Sequence, residues 1–101
     1  MSTQTQIETV SDKKMSLNIL GHKFGDIAWG FMGTPLSNRV YSTRDSFHAA
    51  FRNDRVPTPE FLKLIHREWS SIVRIMENSQ IYSQSVLKSS YEIMNGLATH
   101  I

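Results

Sequence analysis

The chain has 101 residues, of which 40% are hydrophobic and 20% are charged, and this composition indicates a single small globular domain over residues 1–101. It contains no cysteine, which excludes disulfides, thiol catalysis and cysteine-bound zinc. The formal net charge is +2, a value that is ordinary for a soluble domain and does not by itself indicate a nucleic-acid partner.

The N-terminal sequence MSTQTQIETV has neither the basic start nor the apolar run of a signal peptide. The apolar runs elsewhere are also shorter than the roughly 18 residues of a membrane span. The expected location is therefore cytoplasmic, with no membrane partner.

The first 43 residues favour strands. Thr3, Thr5, Ile7 and Thr9 alternate with other side chains at a period of two, so residues 1–13 are predicted to be a polar arm suited to an edge strand. The segments DIAWGFM and NRVYST flank GTPLS, whose Gly and Pro suit a hairpin loop. An antiparallel hairpin or small sheet is predicted over about residues 3–43.

A helical pattern competes in the same region, because apolar residues recur there at spacings of three and four. These residues are Leu17, Leu20, Phe24, Ile27 and Phe31. Gly21, Gly25 and Gly30 oppose a helix, since each costs a helix interior about 1 kcal/mol relative to alanine. Strands are therefore favoured, and an all-α helical bundle is the alternative.

Three helices are predicted after the sheet, over about residues 44–53, 59–77 and 79–95. Ser42 and Asp45 have capping-box spacing before the first, and Thr58 with Pro59 marks the start of the second. The last two are expected to form a hairpin rather than one long helix. The predicted fold class is therefore α+β.

The helix predicted from residue 59 has a strong apolar stripe within an arc of about 100°. The stripe consists of Leu62, Ile65, Trp69, Ile72, Val73 and Met76. Leu64 and Ile75 lie on another side, which suggests contact on two sides of this helix.

The last helix is unusual because Lys88 and Glu92 are its only charged residues between positions 78 and 96. Its apolar residues form two stripes, Tyr82, Val86, Ile93 and Leu97 in one and Leu87, Tyr91 and Met94 in the other. Either the chain's own core buries this helix, or another chain covers it, because interface cores are poor in charge and rich in Tyr and Met.

Enzyme activity is not expected. His22, His48, His66 and His100 lie in separate elements with no metal-binding spacing, and no nucleophile or phosphate-loop motif is present. We therefore predict no catalytic residue, no metal and no cofactor.

Two kinds of macromolecular partner remain. The favoured function is a non-catalytic protein–protein interaction module of the regulator or inhibitor type, which occupies a surface of another protein or of a second copy. Aromatic and arginine side chains carry much of the energy of such contacts. The predicted partner-binding residues are Trp29, Tyr41, Arg52, Arg55, Tyr82, Leu87, Tyr91 and Met94.

The alternative function is a nucleic-acid-binding regulator. Arg44, His48, Arg52 and Arg55 would share an arc of about 80° on a helix, and such a row can contact phosphates. The residues predicted for this alternative are Arg39, Arg44, Arg52, Arg55, Lys63 and Arg67.

Overall fold

This computed structural model describes residues 10–51 and 56–101, with side chains in the first helix from residue 13 onward. The regular elements in these ranges are all helical. They are α1 (Val10–Ala28), a 3₁₀ turn (Trp29–Phe31), α2 (Ser37–Ala49), α3 (Pro59–Ser79) and α4 (Gln84–Ala98). Helix α1 packs against α2 and α4, and α3 packs against the same two helices, so the four helices enclose one core.

The predicted α+β fold is wrong, and the all-α alternative matches the structure. Residues 10–43 contain α1, the 3₁₀ turn and the first half of α2, where an antiparallel sheet was expected. Residues 10–13 of the predicted edge strand belong to α1, and residues 1–9 lie outside the described residues. No strand is present in the described parts of the chain.

The core explains why the helical pattern prevails over the glycines. Leu17, Leu20, Phe24, Ile27 and Phe31 are all buried. Each such side chain contributes about 1.5–3 kcal/mol on burial, whereas a glycine in a helix costs about 1 kcal/mol. Gly30 lies in the 3₁₀ turn, so only Gly21 and Gly25 carry the cost of an α-helix interior.

Helix α2 begins earlier than predicted. It runs from Ser37 to Ala49, not over residues 44–53, and it has no side-chain cap at its first turn. Ser42 and Asp45 lie within the helix, so the predicted capping box is wrong. Propensity and capping signals were outweighed here by the burial of Val40 and Phe47 against the other helices.

Helix α3 begins where the sequence predicts. The Thr58 hydroxyl accepts a hydrogen bond from the Phe61 backbone N–H at 3.2 Å, and Pro59 occupies the first turn. All six residues of the predicted apolar stripe are buried. Its central residue, Trp69, is fully buried and donates a hydrogen bond from Nε1 to the Ser90 carbonyl oxygen at 2.9 Å.

A short turn separates α3 from α4, which confirms the expected helical hairpin. Gln80 adopts a left-handed conformation with φ of 58° and ends α3. The Ser83 hydroxyl then accepts a hydrogen bond from the Val86 N–H at 3.2 Å and caps α4. Helix α4 therefore begins at Gln84, later than the predicted residue 79, because the turn uses the intervening residues.

A bidentate ion pair joins α2 to α3. Arg39 donates from Nε and Nη2 to the two carboxylate oxygens of Glu68 at 2.9 and 3.0 Å. Arg39 Nη2 also donates to the Ser71 hydroxyl at 3.3 Å. The hydrogen bond from Arg39 is the main cause that lowers the pKa of Glu68 below its ordinary value.

Glu68→Gln is expected to lower the free energy of unfolding at neutral pH by about 0.5–1 kcal/mol, since the paired side chains are 38% and 41% exposed. A lowered pKa stabilises the fold above the unfolded-state pKa, and this contribution is lost as pH falls through the folded-state pKa. Urea titrations at pH 7 and pH 3 measure the effect. The deficit of the variant should be smaller at pH 3 than at pH 7; an equal deficit at both pH values would contradict this account.

Candidate interaction surfaces

The outer face of α1 and of the turn that follows it carries exposed apolar side chains. Met15, Ile19, Trp29 and Met32 are 65%, 52%, 70% and 57% exposed. The buried residues of α1 lie on the opposite side of the helix, so this face is directed away from the core. Trp29 was predicted to bind a partner, and its indole is the most exposed of these four side chains.

Two exposed polar residues, His22 and Asp26, continue the same face between the apolar ones. Positions 15, 19, 22, 26 and 29 alternate in spacing between four and three, and they fall within an arc of about 80°. This spacing is typical of a seam along which one helix packs on another. We call the set the α1 stripe: Met15, Ile19, His22, Asp26, Trp29 and Met32.

The predicted partner-binding residues of α4 and of the turn before it pack against the chain's own core. Tyr82, Leu87, Tyr91 and Met94 are half-buried in this way. The Tyr82 ring lies 5.3 Å from that of Phe31, and Tyr91 donates a hydrogen bond to Glu77. That hydrogen bond raises the pKa of the Tyr91 phenol. Intrachain packing therefore accounts for most of the apolar surface of this sparsely charged helix.

Tyr41 is engaged within the chain as well. It is half-buried against the core, and the Arg44 guanidinium carbon lies 4.6 Å from the centre of its ring. Arg44 also donates from Nε and Nη2 to the Asp45 carboxylate at 3.1 and 2.8 Å. Trp29 lies in the 3₁₀ turn and Tyr41 lies in α2, whereas both were predicted to lie on one hairpin.

Two members of the predicted row of basic residues, Arg44 and His48, lie on α2 within the described part of the chain, and both make contacts inside the protein. Arg44 is paired with Asp45, and His48 Nε2 lies 2.7 Å from the Gly21 carbonyl oxygen. Since a carbonyl can only accept, Nε2 carries the proton in this contact. Arg52 and Arg55, which were predicted for both partner classes, lie outside the described residues.

The remaining predicted nucleic-acid residues fall into two groups. Arg39 is held by Glu68, whereas Lys63 and Arg67 lie in a cleft on the outer side of α3. The cleft has a volume of about 690 Å³, and Ala98 at the end of α4 forms one wall together with Ile101. We call it the α3 cleft; its lining residues are Lys63, His66, Arg67, Ser70, Ser71, Arg74, Ala98 and Ile101.

A smaller cavity of about 290 Å³ lies between α1 and the end of α2. His22 and His48 line it together with Asn18, Gly21 and Phe51. Over residues 10–51 and 56–101, no group of three or more His, Cys, Asp or Glu side chains is arranged to hold a metal ion. Among the described helices, none is both long and apolar enough to cross a membrane.

Met15, Ile19 and Met32 were not among the predicted site residues. They lie in segments predicted to be strands and turns, in which a spacing of four and three does not define a common face. The signal was present in the sequence, because the helical pattern of buried residues from Leu17 to Phe31 implies an opposite face that contains the α1 stripe.

Comparison of this chain with protein-family models, with curated proteins and with solved structures gives no match. Functional arguments for this protein therefore depend on the geometry and chemistry of its own surfaces.

Proposed function

We propose that this chain is a cytoplasmic, non-catalytic protein–protein interaction module of the small regulator or inhibitor type, and that its α1 stripe binds the α1 stripe of a second copy. The observation that carries the proposal is the exposed apolar face of α1, with Trp29 70% exposed. Exposed Trp and Met side chains in one patch are typical of protein-binding surfaces.

The order of residues in the stripe favours a second copy as the occupant. Ile19 and Trp29 are each five residues from position 24, or about 7.5 Å along the helix axis. His22 and Asp26 are each two residues from the same position. Two α1 stripes can pack antiparallel with position 24 of one copy beside position 24 of the other. In this arrangement Ile19 contacts Trp29 of the second copy, and His22 contacts Asp26 of the second copy.

The outer ends of the stripe match in the same arrangement. Met15 lies nine residues before position 24 and Met32 lies eight residues after it, so the two methionines meet at both ends of the pair. Apolar side chains thus contact apolar ones, and the imidazole contacts a carboxylate. A two-fold symmetric interface requires this self-complementarity.

A parallel arrangement lacks these contacts. Each residue would lie beside its own counterpart, so that His22 would meet His22 and Asp26 would meet Asp26. Two carboxylates in contact repel each other, whereas the antiparallel pair places opposite polar groups together twice. The antiparallel pair is therefore the arrangement we propose.

The size of the stripe sets the expected affinity. From Met15 to Met32 it is about 26 Å long and one helix wide, which is smaller than the roughly 800 Å² that each partner buries in a standard interface. We therefore expect a weak, reversible dimer with a dissociation constant of about 10–100 µM.

Sedimentation velocity between about 1 and 500 µM protein tests the proposal. The mass should rise from 11.6 kDa toward twice that value with increasing concentration. His22→Asp and Asp26→His should each weaken dimerisation about tenfold. The double variant restores the opposite pair, so its dissociation constant should return to within about threefold of the original.

Trp29→Glu should abolish the dimer, whereas Ile81→Glu is the matched control because Ile81 is exposed outside the stripe. Far-UV circular dichroism of each variant reports whether the helices are intact. A monomer at every concentration would refute self-pairing, and so would a double His22/Asp26 exchange that fails to restore the dimer.

A further inference from the structure

We propose that the α3 cleft is a binding site for a small ligand that carries two or more phosphoryl groups. This inference is independent of the α1 stripe, because the cleft lies on α3 and is also lined by Ala98 at the end of α4 and by Ile101. It goes beyond the proposed interaction module, since it assigns a class of small ligand to a separate surface.

The charges of the cleft point to an anion. Lys63, Arg67 and Arg74 are exposed cations that line it, and among the residues that the structure describes no Asp or Glu belongs to its lining. Within the described ranges, none of the three has a carboxylate within ion-pairing distance, whereas Arg39 and Arg44 each do. The basic groups of the cleft are therefore available to a ligand.

The cations also lie close enough to repel one another. Lys63 and Arg67 are four residues apart on α3, a spacing at which like charges destabilise a helix. Arg74 follows two turns later on the same side. A bound anion removes this repulsion, and it forms charge-assisted hydrogen bonds with the planar guanidinium groups.

The spacing of the cations favours several linked phosphoryl groups over one. Along the helix axis, Arg67 lies about 6 Å beyond Lys63, and Arg74 lies about 10.5 Å beyond Arg67. A single phosphoryl group is too small to contact groups spread over this distance, whereas a chain of two or three can contact them together. His66 and the Ser70 hydroxyl add possible hydrogen bonds between the cations.

The limits of the basic region favour a small ligand over a nucleic acid. Glu60 in the first turn and Glu77 near the last turn of α3 place carboxylates beyond both ends of the cleft. A long polyanion crossing the cleft would pass these negative charges. The volume of about 690 Å³ lies in the range of about 300–1,000 Å³ that is typical of small-molecule sites.

The other wall of the cleft is apolar. The side chains of Ala98 and Ile101 form it, and Ile101 is 45% exposed. All the charged and polar side chains that line the cleft therefore lie on α3.

Isothermal titration calorimetry with sodium tripolyphosphate at low salt tests the site. We expect a dissociation constant below about 1 mM, orthophosphate binding at least about tenfold weaker, and loss of affinity as salt screens the charges. Arg67→Gln with Arg74→Gln should weaken tripolyphosphate binding at least about tenfold.

Lys23→Gln with Lys88→Gln is the matched control, because it removes the same two charges from exposed positions on α1 and α4. This control should bind tripolyphosphate within about twofold of the original protein. Equal losses in both double variants would overturn the proposal, since they would show that net charge alone attracts the anion. Absence of binding by the original protein would also overturn it.

Two further titrations distinguish a small ligand from a nucleic acid, and the anion site from the dimer interface. A single-stranded oligonucleotide of about 20 nucleotides that binds much more tightly than tripolyphosphate, with the same dependence on Arg67 and Arg74, would replace the small ligand by a nucleic acid. Trp29→Glu should leave tripolyphosphate binding unchanged, because Trp29 does not line the cleft. Failure of the dimer and failure of the anion site are therefore distinguishable.

Discussion

Trp69→Ala is expected to lower the free energy of unfolding by about 3–5 kcal/mol, the range for removing a large aromatic side chain from a core. Trp69 is fully buried, and its ring contacts Phe24 edge-on at a centroid distance of 5.0 Å and Phe31 at 6.2 Å. The substitution removes both contacts and the hydrogen bond from Nε1 to the Ser90 carbonyl. Urea denaturation followed by circular dichroism measures the loss.

The second tryptophan provides the matched control. Trp29→Ala removes the same side chain from a surface position, so at concentrations where the protein is monomeric the free energy of unfolding should change by less than about 0.5 kcal/mol. Fluorescence of this variant should show only the emission of a buried indole. Similar destabilisation by the two substitutions would contradict the placement of Trp69 at the centre of the core.

Ser90→Leu is expected to destabilise the fold by about 1–3 kcal/mol or more, because it inserts a large side chain where α4 contacts Trp69 and Met76 of α3. Ser90 is fully buried, its carbonyl accepts the Trp69 hydrogen bond, and its hydroxyl lies 3.4 Å from the Met76 sulfur. A leucine would push Trp69 and Met76 away from their positions. The melting temperature and the urea midpoint should both fall.

Ser90→Ala separates the effect of size from the effect of polarity. The Ser90 hydroxyl donates at 2.9 Å to the Val86 carbonyl of its own helix, which is a local bond that adds little to stability. The alanine variant should therefore stay within about 1 kcal/mol of the original protein. A large loss in Ser90→Ala would show that the hydroxyl, rather than the small volume, is required at this position.

The part of the fold that the sequence predicts well is the part with strong local signals. Helix α3 has a capping threonine, a proline in its first turn and an uninterrupted apolar stripe, and all three features agree. The left-handed residue Gln80 could not be predicted, because glutamine carries no signal for that conformation. The hairpin was therefore predictable, but the residue at which α4 begins was not.

The first half of the chain was mispredicted because its local and tertiary signals conflict. Glycines at positions 21 and 25 disfavour a helix, but the helix buries Leu20 and Phe24 in the core. Gly96 shows how a glycine lets two helices pack closely, since a Cβ atom at this position would lie 2.6 Å from a Leu20 methyl carbon. Such close packing between α1 and α4 is invisible in either segment taken separately.

The sparse charge of α4 left open whether the chain's own core or another chain covers its apolar stripes. Ile93 and Leu97 are fully buried, and the flanking apolar residues pack against the same core. Four of the exposed apolar side chains lie instead on α1 and on the turn that follows it, a segment that was predicted to form strands. Identifying a surface from sequence requires the correct periodicity first, because the period decides which residues share a face.

The contact between the first and last helices has a consequence for the order of folding. Trp69 and Ser90 are 21 residues apart in the chain, whereas Ser16 and His100, whose side chains meet at 3.0 Å, are 84 residues apart. Contacts that close a long loop form slowly, so the α1–α2 and α3–α4 pairs are expected to form before α1 meets α4. The contact between α1 and α4 then fixes the helix that we assign to dimerisation in its final place, which makes the dimer interface a product of completed folding.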